Sequence, residues 1–324
     1  MKIYQAPLEG VTNHIYRRAY HAHFEKLDKY FTPFISTNQH IHLSSKEVNE
    51  ILPENNIGMV TVPQILSNKA DDFIETAKVI REYGYDEINL NLGCPSNTVV
   101  AKNKGSGFLY LKDELNRFLD DIYAKTPMKI SIKTRHGKYG HDEFLDLCHL
   151  FNQYPVHELI IHPRIQKDMY KNTPNLEVFE EALAVLKMPV CYNGDLFNGY
   201  DVKRFSARFP GIETIMLGRG LIGNPGLPSL IKNGTAPSVD VYRAFHDHLY
   251  AEYRKIMHGD KNVLFKMKEL WYYLIPMFDD SKKVAKKIKK CENLKDYEQI
   301  VSSLFSENSF NPDSLGYRHV VNGD

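Results

Sequence analysis

The segment Glu87–Pro95 reads Glu-Ile-Asn-Leu-Asn-Leu-Gly-Cys-Pro, and it is the clearest single indication of the fold. A short run containing Ile and Leu that stops at Gly93 and Pro95 is typical of a buried strand followed by a loop. The preceding residues form an amphipathic helical pattern, in which Phe73, Ala77 and Ile80 recur at the spacing of one helix face. Residues 71–95 are therefore predicted to form one unit, a helix followed by a strand.

The same unit recurs throughout residues 1–220. Eight short apolar runs are predicted to be strands, at residues 3–7, 31–36, 60–65, 87–92, 129–134, 158–162, 189–193 and 214–218. Helical patterns lie between most of them, and a long insert at residues 38–58 interrupts the second unit. Continuously apolar strands that alternate with helices indicate a parallel sheet covered by helices. Eight repeats favour a closed α/β barrel of the (β/α)8 TIM type over an open sheet.

The strand pattern stops near residue 235, where the sequence Asn-Gly-Thr-Ala-Pro-Ser resembles a linker. Only helical patterns follow. We predict two domains, a catalytic barrel over residues 1–235 and a small all-helical bundle over residues 236–324. From residue 254 to residue 290 there are 11 Lys and Arg against 4 Asp and Glu, in a chain whose net charge is +1. This uneven charge suggests that a polyanion binds at the carboxyl-terminal end.

Composition argues against several classes of protein. Hydrophobic residues at 43% and charged residues at 25% are ordinary for a globular protein, so extensive disorder is not expected. No run approaches the roughly 20 apolar residues of a membrane helix, and residues 1–4 show no targeting leader. We expect a cytoplasmic monomer without membrane contact. No CxxC pair or zinc-like spacing occurs, so free thiols and no metal are expected at Cys94, Cys148, Cys191 and Cys291.

Polar and glycine-containing motifs stand at the ends of seven predicted strands. Active sites of such barrels are built from the carboxyl ends of the strands, so these motifs should meet at one face. In chain order they are Ala6-Pro7-Leu8-Glu9-Gly10, Pro63-Gln64, Asn91-Leu92-Gly93-Cys94-Pro95, Lys133-Thr134-Arg135, His162-Pro163-Arg164, Asn193-Gly194-Asp195 and Gly218-Arg219-Gly220.

Taken in this order, the motifs resemble those of the tRNA-dihydrouridine synthases, closely over residues 2–230 and more loosely over the helical end. The resemblance implies an FMN-dependent enzyme, reduced by NADPH, that reduces the C5=C6 bond of uridine in tRNA. It implies a hydride transfer from flavin N5 to C6 and a proton transfer from Cys94 to C5. A thiol with an ordinary pKa of about 8.5 is mostly protonated at neutral pH and can act as this acid.

The resemblance also implies which residues bind the cofactor. Lys133 would lie at the electron-rich edge of the flavin ring, where a positive charge tunes the cofactor. The exits of the last two strands are the usual phosphate site of a barrel, although their glycines could simply form tight turns. The full set of expected cofactor contacts is Pro7, Leu8, Gln64, Lys133, His162, Asn193, Gly194, Asp195, Gly218 and Arg219.

Substrate contacts are expected in two places. Asn91, Lys102 and Arg164 would lie near the uridine, although Pro163 stands where the family usually has glycine. The predicted helix at residues 281–291 presents lysines at spacings of three and four, on one face. A run of charge is often only a solvated face, but lysines aligned in this way can bind phosphates of RNA. These lysines are Lys283, Lys286, Lys287 and Lys290.

Three other functions compete with this interpretation. An FMN-dependent barrel oxidoreductase acting on a small molecule, similar to dihydroorotate dehydrogenase or old yellow enzyme, would share the phosphate features. A barrel lyase could use Lys133 to form a Schiff base. A catalytically silent RNA-binding protein is the third. The motif around Cys94 and the basic helix favour the synthase over the small-molecule oxidoreductase. The complete set of site residues argues against the silent RNA-binding protein.

Overall fold

A computed structural model of the chain describes residues 1–37, 42–279, 281–312 and 314. Its centre is a barrel of eight parallel strands. They are β1 (Lys2–Gln5), β2 (Lys29–Phe31 and Ile35–Ser36), β3 (Thr61–Val62 and Gln64–Leu66), β4 (Glu87–Leu92), β5 (Lys129–Gly137), β6 (Leu159–Ile165), β7 (Val190–Tyr192) and β8 (Thr214–Leu217). Each strand pairs with the next, and β8 pairs with β1, so the cylinder closes. The predicted TIM barrel is confirmed.

Proline accounts for one interruption in the barrel wall and contributes to the other. Pro63 separates the two segments of β3, because proline has no N–H to donate to the ladder. Its carbonyl still accepts a hydrogen bond from the Asn89 N–H at 2.9 Å. In the gap of β2, which contains Pro33, the Thr32 N–H donates to the Val62 carbonyl at 3.1 Å. The wall therefore stays continuous through both interruptions.

Most of the helices that surround the barrel turn one apolar stripe toward it. In α3, for example, Phe73, Ala77 and Ile80 are all buried, as their spacing predicts. The helices are α1 (His14–His23), α2 (Ser45–Ile51), α3 (Ala70–Glu82), α4 (Asn97–Val100), α5 (Lys112–Lys125), α6 (Glu143–Phe151), α7 (Leu176–Val185), α8 (Gly199–Arg208), α9 (Arg219–Gly223), α10 (Leu227–Asn233), α11 (Val239–Ile256), α12 (Asp260–Leu274), α13 (Lys282–Lys290) and α14 (Leu294–Glu307). Short 3-10 helices occur at Pro53–Asn55, Gly105–Gly107, Gln166–Asp168 and Ile275–Met277.

Helices α11 to α14 form the carboxyl-terminal helical region, which packs on the β1 side of the barrel. The ring of Phe245 in α11 lies 5.6 Å from that of Tyr16 and 5.1 Å from that of Phe24, centroid to centroid. In α12, Lys266 Nζ donates to the Gly10 carbonyl at 2.6 Å. These contacts hold α12 beside the carboxyl end of β1. One apolar core runs through both regions, so the predicted division after residue 235 stays a prediction.

Within the described ranges, no helix has both the length and the apolar character that crossing a membrane requires.

Candidate active site

The carboxyl ends of the strands enclose a cavity of about 610 Å³, a size typical of small-molecule sites. A recess of about 60 Å³ adjoins it at the ends of β7 and β8. Lys133, His162, Tyr170 and Arg219 line both spaces, so the two form one continuous site. Its position matches the face on which barrel enzymes carry their active sites.

Most of the predicted site residues meet here. Those that line the large cavity are Pro7, Leu8, Gln64, Asn91, Cys94, Lys133, His162 and Arg219. Those that line only the recess are Asn193, Gly194, Asp195 and Gly218. The structure thus brings together every predicted cofactor residue with Cys94 and Asn91. Whether each contacts a cofactor or a substrate stays a prediction.

The loop that carries Cys94 is held by the side chain of Asn91. Asn91 Oδ1 accepts hydrogen bonds from the Gly93 N–H at 3.0 Å and the Cys94 N–H at 2.9 Å. Asn91 Nδ2 donates to Gln64 Oε1 at 2.7 Å, and Gln64 Nε2 donates to Asn89 Oδ1 at 2.7 Å. This buried amide network fixes the position of the thiol relative to the barrel wall.

The Cys94 thiol is suited to donating a proton. Burial raises its pKa above the ordinary value, although the backbone at Ser96 and the charges of Arg135 and Lys133 act in the opposite direction. The thiol form therefore predominates at neutral pH. The other three cysteines are buried in the core, as predicted, and they are Cys148, Cys191 and Cys291.

Lys133, in the middle of β5, places an ammonium group at the cavity wall. Burial and the neighbouring Arg135 lower its pKa to about 8. Among the residues that the structure describes, its amine has no hydrogen bond or ion pair. A partly buried cation without a counter-charge is costly unless a ligand supplies one. The site therefore favours a ligand that is anionic or electron-rich at this point.

His162 is a neutral hydrogen-bonding group. Its pKa lies well below the ordinary value because it is buried among four cationic side chains, of which Arg135 and Lys133 act most strongly. Arg164 Nη1 lies 2.9 Å from His162 Nε2. Since a guanidinium can only donate, Nε2 must accept and the ring proton must be at Nδ1.

The recess at the ends of β7 and β8 is built from closely packed glycines and an arginine. A Cβ on Gly220 would lie 2.0 Å from the Leu196 carbonyl oxygen, so only glycine fits there. Arg219 Nη2 donates to Asp195 Oδ1 at 2.8 Å, and its guanidinium lies 4.8 Å from the centre of the Tyr170 ring. The carboxylate of Asp195 thus orients the arginine at the recess.

Arg164 lies behind this wall and is only 1% exposed. It binds both carboxylate oxygens of Asp195, at 2.9 and 2.5 Å, and donates to the carbonyls of Lys171 and Asn172. Such a bidentate pair fixes geometry strongly. Arg164 is not part of the cavity lining, and a direct contact with substrate stays a prediction.

The predicted substrate lysines lie outside the cavity. Lys102 is exposed, and its carbonyl accepts a hydrogen bond from Asn68 Nδ2 at 3.1 Å. The packing side of α13 includes the buried Ile288, and the buried Cys291 follows the helix directly, while the predicted lysine face is exposed. That face consists of Lys283, Lys286, Lys287 and Lys290. Contact of any of these lysines with RNA stays a prediction.

Several residues that line the cavity were given no role in it from the sequence. Arg135 belongs to a quoted motif, and it donates to the carbonyls of Gly93 at 3.0 Å and Met169 at 2.6 Å. Its place in the Lys-Thr-Arg motif could have identified Arg135 as a site residue. Tyr170 follows a strand end, but Glu269 and Tyr273 come from α12, far along the chain. No local pattern predicts that a helix of the second region completes the cavity wall.

Replacing Asn91 by alanine should destabilise the protein by about 1–3 kcal/mol, because buried N–H groups lose their acceptor. We also expect slower product formation, since the Cys94 loop loses its anchor. Chemical denaturation and single-turnover rates would measure the two effects. Asn68→Ala is the control, because this amide bonds an exposed loop and its loss should cost less than about 0.5 kcal/mol. Wild-type stability and rate in the Asn91 variant would contradict the anchoring role.

No group of three His, Cys, Asp or Glu side chains among the described residues is arranged to hold a metal ion. The closed parallel barrel, with a protonated thiol, a lysine and an arginine-lined recess at its mouth, defines a TIM-barrel enzyme.

The family described as Dihydrouridine synthase (Dus) matches residues 4–309. The chain belongs to this family and is a flavin-dependent oxidoreductase.

Curated relatives agree with this assignment. The chain is 32% identical over 228 residues to a probable tRNA-dihydrouridine synthase of Staphylococcus epidermidis (strain ATCC 12228 / FDA PCI 1200), covering 68% of each protein. It is 26% identical over 227 residues to tRNA-dihydrouridine synthase B of Pasteurella multocida (strain Pm70), covering 70% of this chain and 67% of the relative.

Solved structures also resemble the fold, and two of them illustrate the likeness. Histamine dehydrogenase from Rhizobium sp. 4-9 has a TM-score of 0.55 at 11% identity, over 72% of this chain and 46% of that one. Morphinone reductase has a TM-score of 0.52 at 12% identity, over 75% of this chain and 88% of that one. At these identities the likeness shows the fold alone.

Proposed function

We propose that this protein is a tRNA-dihydrouridine synthase that uses FMN and NADPH to reduce the C5=C6 bond of uridine in tRNA. The observation that carries the proposal is the position of Cys94. Its thiol, kept protonated by burial, opens into the cavity that Lys133 and Arg219 also line. Membership of the family indicates the class of reaction, and the Cys94 thiol can act as the acid that this reaction needs.

The residues present fit FMN. The recess is narrow, lined by glycines, and carries the cationic Arg219, as a phosphate requires. No carboxylate in the described part of the chain pairs with the ammonium of Lys133, which matches the electron-rich edge of a reduced flavin ring. The residues that would hold the cofactor are Pro7, Leu8, Gln64, Lys133, His162, Asn193, Gly194, Asp195, Gly218 and Arg219. When bound and reduced by NADPH, FMN supplies a hydride from N5 to C6 of the uracil.

The chain itself supplies the proton and the geometry. Cys94 Sγ gives its proton to C5, and the resulting thiolate is stabilised by the positive charges of Lys133 and Arg135. Asn91 keeps the loop of Cys94 in place through its two backbone hydrogen bonds. Solvent returns a proton to the thiolate before the next turnover.

A uridine in folded tRNA must leave its stack to reach this cavity, which costs a few kcal/mol. Phosphate contacts outside the cavity can offset that cost. The lysine face of α13 lies in the helical region whose helix α12 contributes Glu269 and Tyr273 to the cavity wall. RNA bound to these lysines would therefore be attached to a region that borders the site.

The direct test of the proposal is reoxidation of the reduced flavin. NADPH-reduced protein, held without oxygen, should recover its oxidised flavin absorbance when unmodified tRNA is added. Orotate or an enone should have no such effect, because the lysine face and the thiol loop serve a polynucleotide substrate. Reoxidation by orotate or an enone, and not by tRNA, would instead indicate the small-molecule oxidoreductase.

Neutralising lysines on α13 should weaken tRNA binding and its salt dependence. Each phosphate contact contributes roughly 0.7–0.9 to the slope of log K against log salt. The pairs Lys283→Gln/Lys287→Gln and Lys286→Gln/Lys290→Gln should each lower the slope by about 1.5 in filter binding. The control pair Lys78→Gln/Lys187→Gln removes the same charge from barrel helix α3 and a distant loop. Equal slopes in all proteins would argue that α13 is only a solvated face.

A further inference from the structure

A second aromatic and cationic surface lies at the rim of the barrel mouth. We call it the rim cluster, and it consists of Tyr110, Lys138, Tyr139 and Lys167. The rings of Tyr110 and Tyr139 are 54% and 46% exposed, and their centroids are 4.9 Å apart at 86°. Exposed apolar surface that is contiguous, rather than scattered in single residues, often marks a binding site.

Two lysines lie over these rings. Lys138 Nζ is 5.4 Å from the centre of the Tyr110 ring and 4.9 Å from that of Tyr139, and Lys167 Nζ is 5.0 Å from the Tyr139 ring. Within the part of the chain that the structure describes, neither ammonium pairs with a carboxylate. Both charges are thus held in place by the rings and remain available to an anion.

The backbone around Lys138 and Tyr139 is held in place by hydrogen bonds. The N–H groups of Lys138, Tyr139 and Gly140 all donate to the carboxylate of Glu143, at 3.1, 2.7 and 2.7 Å. A Cβ on Gly137 would lie 2.6 Å from the Gly140 carbonyl oxygen, so the turn is tight. A preordered surface loses less entropy on binding, which favours a recognition role.

The rim cluster is connected to the active site. Gln166 Nε2, next to Lys167, donates to the Pro95 carbonyl at 3.2 Å. Arg135 Nη1 donates to the Ile165 carbonyl at 3.0 Å and lines the cavity. The cluster therefore borders the loop of Cys94.

The position of the rim cluster around the barrel is its most informative property. Its members follow the carboxyl ends of β4, β5 and β6, and its centre, at Lys138 and Tyr139, comes directly after β5. In a closed barrel of eight strands, β5 lies opposite β1. The helical region is held at β1 through Lys266 and Gly10. The cluster and the helical region therefore face each other across the mouth.

We propose that the rim cluster binds the RNA strand next to the uridine that enters the cavity, with a base stacked on the tyrosines and phosphates bound by the lysines. This inference rests on the proposed function. Stacking of bases on exposed aromatic rings, combined with cationic side chains that follow the backbone, is the usual way in which proteins bind single-stranded RNA. The RNA would thereby be held on both sides of the cavity.

Three double variants test the rim cluster by filter binding of unmodified tRNA over a salt series. Tyr110→Leu/Tyr139→Leu should weaken binding about tenfold, since stacking contributes on the order of 1–3 kcal/mol per base. Tyr110→Phe/Tyr139→Phe keeps the rings and should bind within about twofold of wild type. Lys138→Gln/Lys167→Gln should lower the salt slope by about 1.5. The control pair Lys78→Gln/Lys187→Gln should leave affinity and slope unchanged.

NADPH-driven flavin reduction serves as the measure of folding, and it should be equal in all these proteins because none of the changes touches the cavity. Wild-type affinity and slope in the leucine and glutamine variants would overturn the proposal. Dihydrouridine formation by the wild type is measured independently of tRNA binding. Its absence would count against the proposed function, while the binding comparison would still decide whether the rim cluster contacts RNA.

Discussion

Replacing Cys94 by alanine is expected to lower the rate of dihydrouridine formation by roughly 10²–10⁴-fold, the usual contribution of a general acid. Flavin content and flavin reduction by NADPH should be unchanged, because the proton is needed only when the uridine is reduced. Rapid-mixing experiments with pre-reduced protein and tRNA separate the two half-reactions. The loss of rate should be confined to the half-reaction in which the uridine is reduced.

The matched control is Cys291→Ala, which removes a thiol buried at the end of α13, where it donates to the Ile288 carbonyl. This variant should retain the wild-type rate. If Cys94→Ala forms dihydrouridine at the wild-type rate, the thiol is not the acid. If the Cys94 variant loses its flavin, the residue contributes to the cofactor site rather than to proton transfer.

Replacing Lys133 by methionine should have the second largest effect, on the flavin half-reaction. Methionine keeps most of the side-chain volume and removes the charge at the cavity wall. We expect flavin reduction by NADPH to slow by about 10²-fold or more, comparable with the loss of one preorganised electrostatic contact. Stopped-flow absorbance of the flavin measures this rate directly.

The same variant should make the flavin-free protein more stable. Burial lowers the pKa of Lys133 to about 8, below its value in an unfolded chain. The ammonium therefore costs the folded state stability at pH values below about 8, and this cost disappears as the pH rises through the unfolded value. Thermal unfolding at pH 7 should show a higher Tm for Lys133→Met than for wild type.

The control for Lys133 is Lys129→Met, at the first residue of the same strand, where the lysine is exposed and pairs with Asp86 at 3.6 Å. This change should affect neither flavin reduction nor stability appreciably. A Lys133 variant that is reduced at the wild-type rate, or that is less stable without flavin, would contradict the role assigned to the uncompensated charge.

The barrel and most of the site could be predicted from the sequence because each strand ends in its own motif. The fold places all strand ends at one face, so motifs such as Asn-Leu-Gly-Cys-Pro and Gly-Arg-Gly meet there without further information. The short segments of β2 and β3 were harder to delimit, because Pro33 and Pro63 interrupt runs that otherwise look continuous.

Features that depend on contacts between distant segments could not be predicted. The ion pair of Arg164 with Asp195 is an example, because only the folded geometry of β6 and β7 brings the two side chains together. The expected contact of Arg164 with substrate stays a prediction. Likewise, Glu269 and Tyr273 reach the cavity because α11 and α12 pack on α1 and β1. Helical periodicity identifies an apolar face but not the surface that it covers.

The most direct measurement is nucleoside mass spectrometry of unmodified tRNA after incubation with flavin-loaded wild-type protein and NADPH. Dihydrouridine that depends on both NADPH and the protein, and that is absent when Cys94→Ala replaces the wild type, is the result expected from this structure. If the flavin-loaded wild type forms no dihydrouridine on any of several tRNAs, tRNA is not the substrate, and the small-molecule oxidoreductase becomes the better interpretation of the site.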